Sequence, residues 1–140
     1  VVGGVPVSGP IECAIGNGIM LAGDAARMAD PITGGGITNA MYAGRIAGEV
    51  AAKAVKQEDS SINMLREYEQ HWRALLEKSL ARNYRVKEVI RGFTDENLNS
   101  LAESIKGVDI QSKDFDVRIL LKELVMRNPM MLFKLRNVLL

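Results

Sequence analysis

The chain has 140 residues, 47% hydrophobic and 25% charged, with 18 basic against 17 acidic side chains and a formal net charge of +1. That balance excludes a protein that grips nucleic acid through a clustered cationic face, and the apolar content excludes a disordered chain. One cysteine, Cys13, and one histidine, His71, exclude an internal disulfide and a four-ligand zinc site, so no metal is expected. No apolar run reaches the ~18 residues of a membrane span and no signal peptide opens the sequence, so a cytoplasmic protein is expected. The first residue is Val1 rather than Met, which fits a piece of a longer protein.

Glycine and charge divide the chain. Eleven of 13 glycines lie in residues 1–48, which carry only five charged side chains: Glu12, Asp24, Arg27, Asp30 and Arg45. The front begins with the β-friendly runs Val1-Val2 and Val5-Pro6-Val7, bounded by Ser8-Gly9-Pro10. Residues 11–15 and 19–22 follow, separated by Gly16-Asn17-Gly18. Short apolar runs punctuated by Gly and Pro predict strands joined by tight turns. The run 19–22 is apolar on both faces, as a buried strand would be, and Pro6 and Pro10 place the first pair near a sheet edge.

From about Gly35 to Val55 the spacing becomes helical and small residues dominate, which predicts a helix buried against the sheet. Asp59 or Ser60 is the expected cap of a longer helix from about Ser61 to Ile90. Along it Leu65, Tyr68, Trp72, Leu76, Leu80 and Tyr84 recur every three or four residues. Gly92 ends that helix, and Thr94-Asp95 starts another through Ile105. Further helices are expected over 114–126 and 129–140, the last nearly all apolar. Packing on the preceding helix is its weightier reading; a seat at the membrane inner face, or over a lipid tunnel, is the other.

The stretch from Ile19 to Gly44 carries the chemistry. Gly23-Asp24 closes a predicted strand, and Gly34-Gly35-Gly36 enters a helix of small residues. A carboxylate accepts hydrogen bonds from sugar or ribitol hydroxyls, each worth ~1.5–3 kcal/mol. Glycines let a flat ligand or a phosphate approach the main chain, and a helix start stabilises negative charge by ~0.3–1 kcal/mol, up to ~2 when partly buried. Such a site suits a diphosphate oxygen or the anionic edge of a reduced flavin. A P-loop is excluded because Gly36 is followed by Ile37-Thr38, and a Rossmann fingerprint because Asn39 holds the third glycine's place. Cys13 is expected as a small core residue and His71 as a solvated one. Arg27 and Arg45 are expected as surface ion-pair partners, Tyr68, Trp72 and Tyr84 as core, and Met126, Met130 and Met131 as packing.

Gly23-Asp24-Ala25-Ala26, Pro31, Gly34-x-Gly36-Ile37, Ala40 and Gly44 resemble the second flavin-binding motif of the para-hydroxybenzoate hydroxylase-like FAD-dependent oxidoreductases. The wording from Pro31 to Ile37 and from Ala43 to Glu49 is most similar to the geranylgeranyl reductase family, whose archaeal members are the digeranylgeranylglycerophospholipid reductases. The hairpin-like Gly3-Gly4-x-Pro6 and Gly9-Pro10 pieces resemble that family as well. The likeness covers residues 1–56 closely and the helical remainder in general character.

The resemblance implies FAD held by Gly23, Asp24, Pro31, Gly34, Gly35, Gly36 and Ile37, with Asp24 at the ribitol or diphosphate. It implies reduction of isoprenoid double bonds in geranylgeranyl chains of membrane-lipid precursors. The partners would be a polyprenyl lipid and an electron donor such as NADPH or ferredoxin. No residue here is marked as catalytic. The family's N-terminal Gly-x-Gly-x-x-Gly unit, which holds the ADP half of FAD, is absent. The expectation is therefore a C-terminal fragment, inactive alone. Its fold class is α/β, or α+β within the fragment: 1–57 the end of an FAD-binding domain, 58–140 an α-helical subdomain. A flavin-dependent aromatic monooxygenase and a non-enzymatic helical membrane-surface module are the alternatives.

Overall fold

A computed structural model of the chain describes residues 3–105; the expected helices over 114–126 and 129–140 lie outside them. The chain forms two compact units, Val1–Lys87 and a second beginning at Glu88. The expected boundary between 57 and 58 falls between two helices that pack on each other inside the first unit.

In the first unit, strands β1 (Ile15–Gly16) and β2 (Ile19–Met20) pair antiparallel, with Ile15 opposite Met20 and Gly16 opposite Ile19. Asn17 and Gly18 make the turn, with Gly18 in the left-handed region at φ +71°. The turn is fastened to the start of a helix: Gly18 N–H donates to the Ser60 carbonyl at 2.8 Å, and Ile62 N–H to Asn17 Oδ1 at 2.9 Å. The hairpin was legible in the sequence, but the strands are only two residues each, and residues 3–7 form none. Ile19 is 58% exposed, so the expectation of a strand buried on both faces is corrected. A strand is buried by neighbours, and among the described residues β2 has only β1 beside it. Cys13 is likewise exposed, its thiol donating to the Ile15 carbonyl at 3.3 Å, not a core residue as expected.

Helix α1 (Ile37–Lys56) buries Ala43, Ile46, Val50 and Ala54, one face at steps of three and four. That face packs on helix α2 (Ile62–Trp72) and on the short turn Gly23–Ala26, not on a sheet as expected. Ser61 caps α2, its hydroxyl accepting from Met64 N–H at 3.4 Å; Asp59 instead accepts from Ser61 N–H. Helix α3 (Lys78–Arg91) continues α2 through one wider turn, Arg73–Glu77. The sequence explains that turn. Leu65, Tyr68, Trp72, Leu76 and Leu80 are all buried, and their spacing averages about 3.75 residues per turn against 3.6 for a regular helix. A single π-type turn takes up the excess and keeps the stripe on one face. Arg73 sits at this turn, its guanidinium over the Trp72 ring at 4.6 Å and donating to the Ile11 carbonyl at 3.1 Å.

In the second unit, helix α4 (Asp95–Ile105) opens on a reciprocal cap. Thr94 Oγ1 accepts from Asn97 N–H, and Asn97 Oδ1 accepts from Thr94 N–H, each at 3.3 Å. Among the described residues no helix is long and apolar enough to cross a membrane.

Tyr68 yields a pH prediction. Its hydroxyl donates to the Leu21 carbonyl at 2.5 Å. Burial first, and then the neighbouring charge of Glu69, push its phenol from 10.0 up to about 12. A raised pKa stabilises the fold in full below the unfolded value, and that stability is lost as pH rises through the folded one. Urea midpoints measured from pH 9 to 12 should therefore fall steeply above pH 10, and the slope should flatten in Tyr68→Phe. An equal slope in both proteins would place the titration elsewhere.

Candidate functional site

The site is built from the turn after β2 and the loop that enters α1. Gly23 adopts φ +63° and is buried; a Cβ on it would stand 3.1 Å from Ala40 Cβ, so the chain passes directly against the first turn of α1. Asp24 follows in the short turn Gly23–Ala26 and is exposed. Met28 N–H returns to the Gly23 carbonyl at 3.0 Å, and Asn39 Nδ2, from α1, donates to the Met28 carbonyl at 2.8 Å.

Asp30 then shapes the glycine loop. Its Oδ1 accepts from Ile32 N–H and Thr33 N–H, each at 2.9 Å, and from the Thr33 hydroxyl at 3.2 Å. Its main chain donates to the Gly35 carbonyl at 2.7 Å and accepts from Gly34 N–H at 2.8 Å. Burial pushes the Asp30 carboxyl up, but the hydrogen bonds from Thr33, Asn83 and Ile32 outweigh it and hold it below the usual carboxylate range. Gly34 turns the chain at φ +72°, and Gly36 opens α1 with no side chain capping the helix start. A Cβ on Gly36 would lie 3.1 Å from Asp24 Oδ1 and 3.3 Å from Ala29 Cα, so glycine is what lets the acid and the helix start share one recess.

Asp24, Gly34, Gly36 and Ile37 line a hollow of about 360 Å³ together with Val5 and Ala40. The structure thus brings together four of the seven expected cofactor residues. Gly23 and Pro31 are buried behind the wall, and Gly35 opens instead on a second hollow of about 430 Å³, with Asp30, Thr33, Ser79 and Asn83. Val5, Asp30 and Asn83 were missed in the sequence, whereas Ala40 stood in the quoted motif without being named as a site residue. Asp30-Pro31-Ile32-Thr33 carries a legible signal, since Asp before a proline commonly starts a side-chain-capped turn. Asn83 carries none. His71 is exposed as expected, 4.0 Å from Glu67, and no cluster of metal-ligating side chains occurs among the described residues.

The recess sets the start of α1, which no side chain caps, beside the carboxylate of Asp24. No protein-family model matches the chain. A solved structure, a geranylgeranyl bacteriochlorophyll reductase-like protein from Thermoplasma acidophilum, is similar at 33% identity and a TM-score of 0.78. The match covers 97% of this chain and 34% of that one. The fold is that of a part of a reductase of geranylgeranyl type. More similar in sequence are digeranylgeranylglycerophospholipid reductases: number 2 of Methanococcoides burtonii, 53% identical over 99% of this chain, and that of Methanothrix thermoacetophila, 51% identical over 99%. The match takes in 34% and 35% of those two proteins. Nearly the whole chain is thus similar to one part of these reductases, and it spans about a third of the length of the curated relatives it matches.

Proposed function

We propose that these residues form one wall of the FAD site in an oxidoreductase that saturates isoprenoid double bonds of a polyprenyl lipid. The single observation that carries this reading is the shared recess of Asp24, Gly36 and the uncapped start of α1. Gly34 and Gly36 present bare main chain to a planar ring; a Cβ at Gly36 would press on Asp24 and Ala29, and Gly34 holds a left-handed φ of +72° that side chains rarely adopt. The helix start, with its N–H groups free of side-chain caps, favours negative charge at the ring's edge, worth ~0.3–1 kcal/mol and up to ~2 when partly buried. Asp24 accepts hydroxyl donors from the chain that joins ring to diphosphate. When bound, the flavin supplies the hydride; this chain orients it. The electron donor, NADPH, ferredoxin or another, and the lipid act on surfaces beyond these residues. A peripheral seat at the inner face of the membrane belongs to the same reading.

In the full-length protein, Asp24→Ala is expected to weaken FAD binding about 10- to 100-fold, the equivalent of a lost charged hydrogen bond of ~1.5–3 kcal/mol. Cys13→Ala and His71→Ala, both at exposed positions away from the recess, should leave affinity unchanged. Flavin fluorescence titration measures all three, and wild-type affinity in Asp24→Ala would remove that residue from the site. Anaerobic reduction of a prenyl chain, set against oxygen-dependent hydroxylation, separates a reductase from a monooxygenase.

A further inference from the structure

We propose that Asn83, on α3, is a positioning residue that holds the glycine loop in the shape the flavin wall requires; the inference rests on the flavin reading above. Asn83 Nδ2 donates to Asp30 Oδ2 at 2.5 Å, across 53 residues of sequence. The other Asp30 oxygen is fully engaged with the loop itself, accepting from Ile32 and Thr33. Asn83 is therefore the one described side chain outside the loop that fastens this carboxylate, and through it the turn that delivers Gly34, Gly35 and Gly36 to α1.

Three further observations agree. Asparagine is a poor residue for a helix interior, and position 83 lies in the middle of Lys78–Arg91, so local preference does not explain it. Ser79 and Asn83 of α3 border a hollow of about 430 Å³ together with Asp30, Thr33 and Gly35 of the loop, so open space as well as the hydrogen bond lies along this edge. The wide turn Arg73–Glu77 sets the register of α3, continuing the buried line of Leu76 and Leu80 through Asn83 to Lys87. The Lys87 ammonium reaches the Val7 carbonyl at 2.7 Å. A hydrogen bond to an ionised carboxylate is among the stronger kinds, and here it joins a rigid helix to a glycine-rich loop with little stiffness of its own.

The test uses the full-length protein without cofactor, read by amide hydrogen exchange, and the same protein titrated with FAD. Asn83→Ala should speed exchange over residues 30–37 about tenfold and weaken FAD by a similar factor, as loss of one charged hydrogen bond implies. Exchange over 62–76 should not change. Asn83→Gln, which keeps an amide donor, should recover part of both effects. Unchanged exchange at 30–37 overturns the proposal, and so does faster exchange throughout 62–76, which would mark a general loss of fold. Faster loop exchange with wild-type FAD affinity overturns it too, provided Asp24→Ala weakens FAD in the same assay. If Asp24→Ala is also silent, the flavin reading itself has failed and this inference falls with it.

Discussion

Replacing Trp72 by alanine is expected to destabilise the fold by about 3–5 kcal/mol, the range for truncating a large buried aromatic side chain. Trp72 is fully buried, and its ring lies between the core stripe of α2 and the Arg73 guanidinium. Its Nε1 donates to Glu69 Oε2 at 3.1 Å, and the same oxygen accepts from Ala14 N–H at 3.0 Å. Glu69 Oε1 in turn accepts from Arg73 Nε at 2.8 Å. Alanine would thus open a cavity and leave Glu69 short of a donor at once. Trp72→Phe keeps most of the volume and loses the donor, so it should cost about 1–3 kcal/mol by the price of one broken charged hydrogen bond. Urea unfolding followed by far-ultraviolet circular dichroism measures both without relying on the lost fluorophore. A cost for Trp72→Ala no larger than for Trp72→Phe would show that the polar network, not packing, holds this part of the core.

Gly23→Ala is expected to cost about 2–5 kcal/mol, from two penalties at one atom. A Cβ in the left-handed region costs ~1–2 kcal/mol, and overpacking adds ~1–3. Gly18→Ala isolates the first penalty: its φ of +71° is close to the +63° of Gly23, but a Cβ there meets nothing within 4 Å. The new methyl at Gly23 would stand 3.1 Å from Ala40 Cβ, and Ala40 belongs to the turn of α1 that begins at Gly36. Relief of that contact moves the helix start away from Asp24, so FAD affinity should fall in Gly23→Ala and hold in Gly18→Ala. Equal destabilisation by the two substitutions would mean that α1 yields freely at Ala40, against the close approach described above.

The local signals in the sequence were followed closely by the elements. Gly36 before α1, Gly92 after α3 and Thr94 before α4 each stand where an end was expected. Caps and stops act through atoms only a few residues apart, so their reading needs no knowledge of the fold. The recess was legible for the same reason: Gly23-Asp24 and Gly34 to Ile37 lie within one short stretch, and glycine and acid each suggest their chemistry directly. Where reading by residue type failed, it failed on exposure. Cys13 and Ile19 are apolar by type and exposed in place, because burial depends on which neighbour covers a face. The helix 37–56 was expected against a sheet and lies against α2, for the same cause.

Periodicity along 61–90 was enough to place one long helix and to name Tyr68, Trp72 and Leu80 as its buried side chains. That reading depends only on atoms close in sequence. The pairing of Asn83 with Asp30, the closing of Glu69 onto Ala14 and the opening of Asp24 and Gly35 on different hollows depend instead on how distant segments approach. A shift of one residue in helix register, such as the wide turn at Arg73–Glu77 introduces, rotates every later side chain by about 100°. The spacing of the buried stripe records that rotation, but what Asn83 then meets is decided by the packed core, which buries Leu76 and Leu80 and brings Asn83 to Asp30.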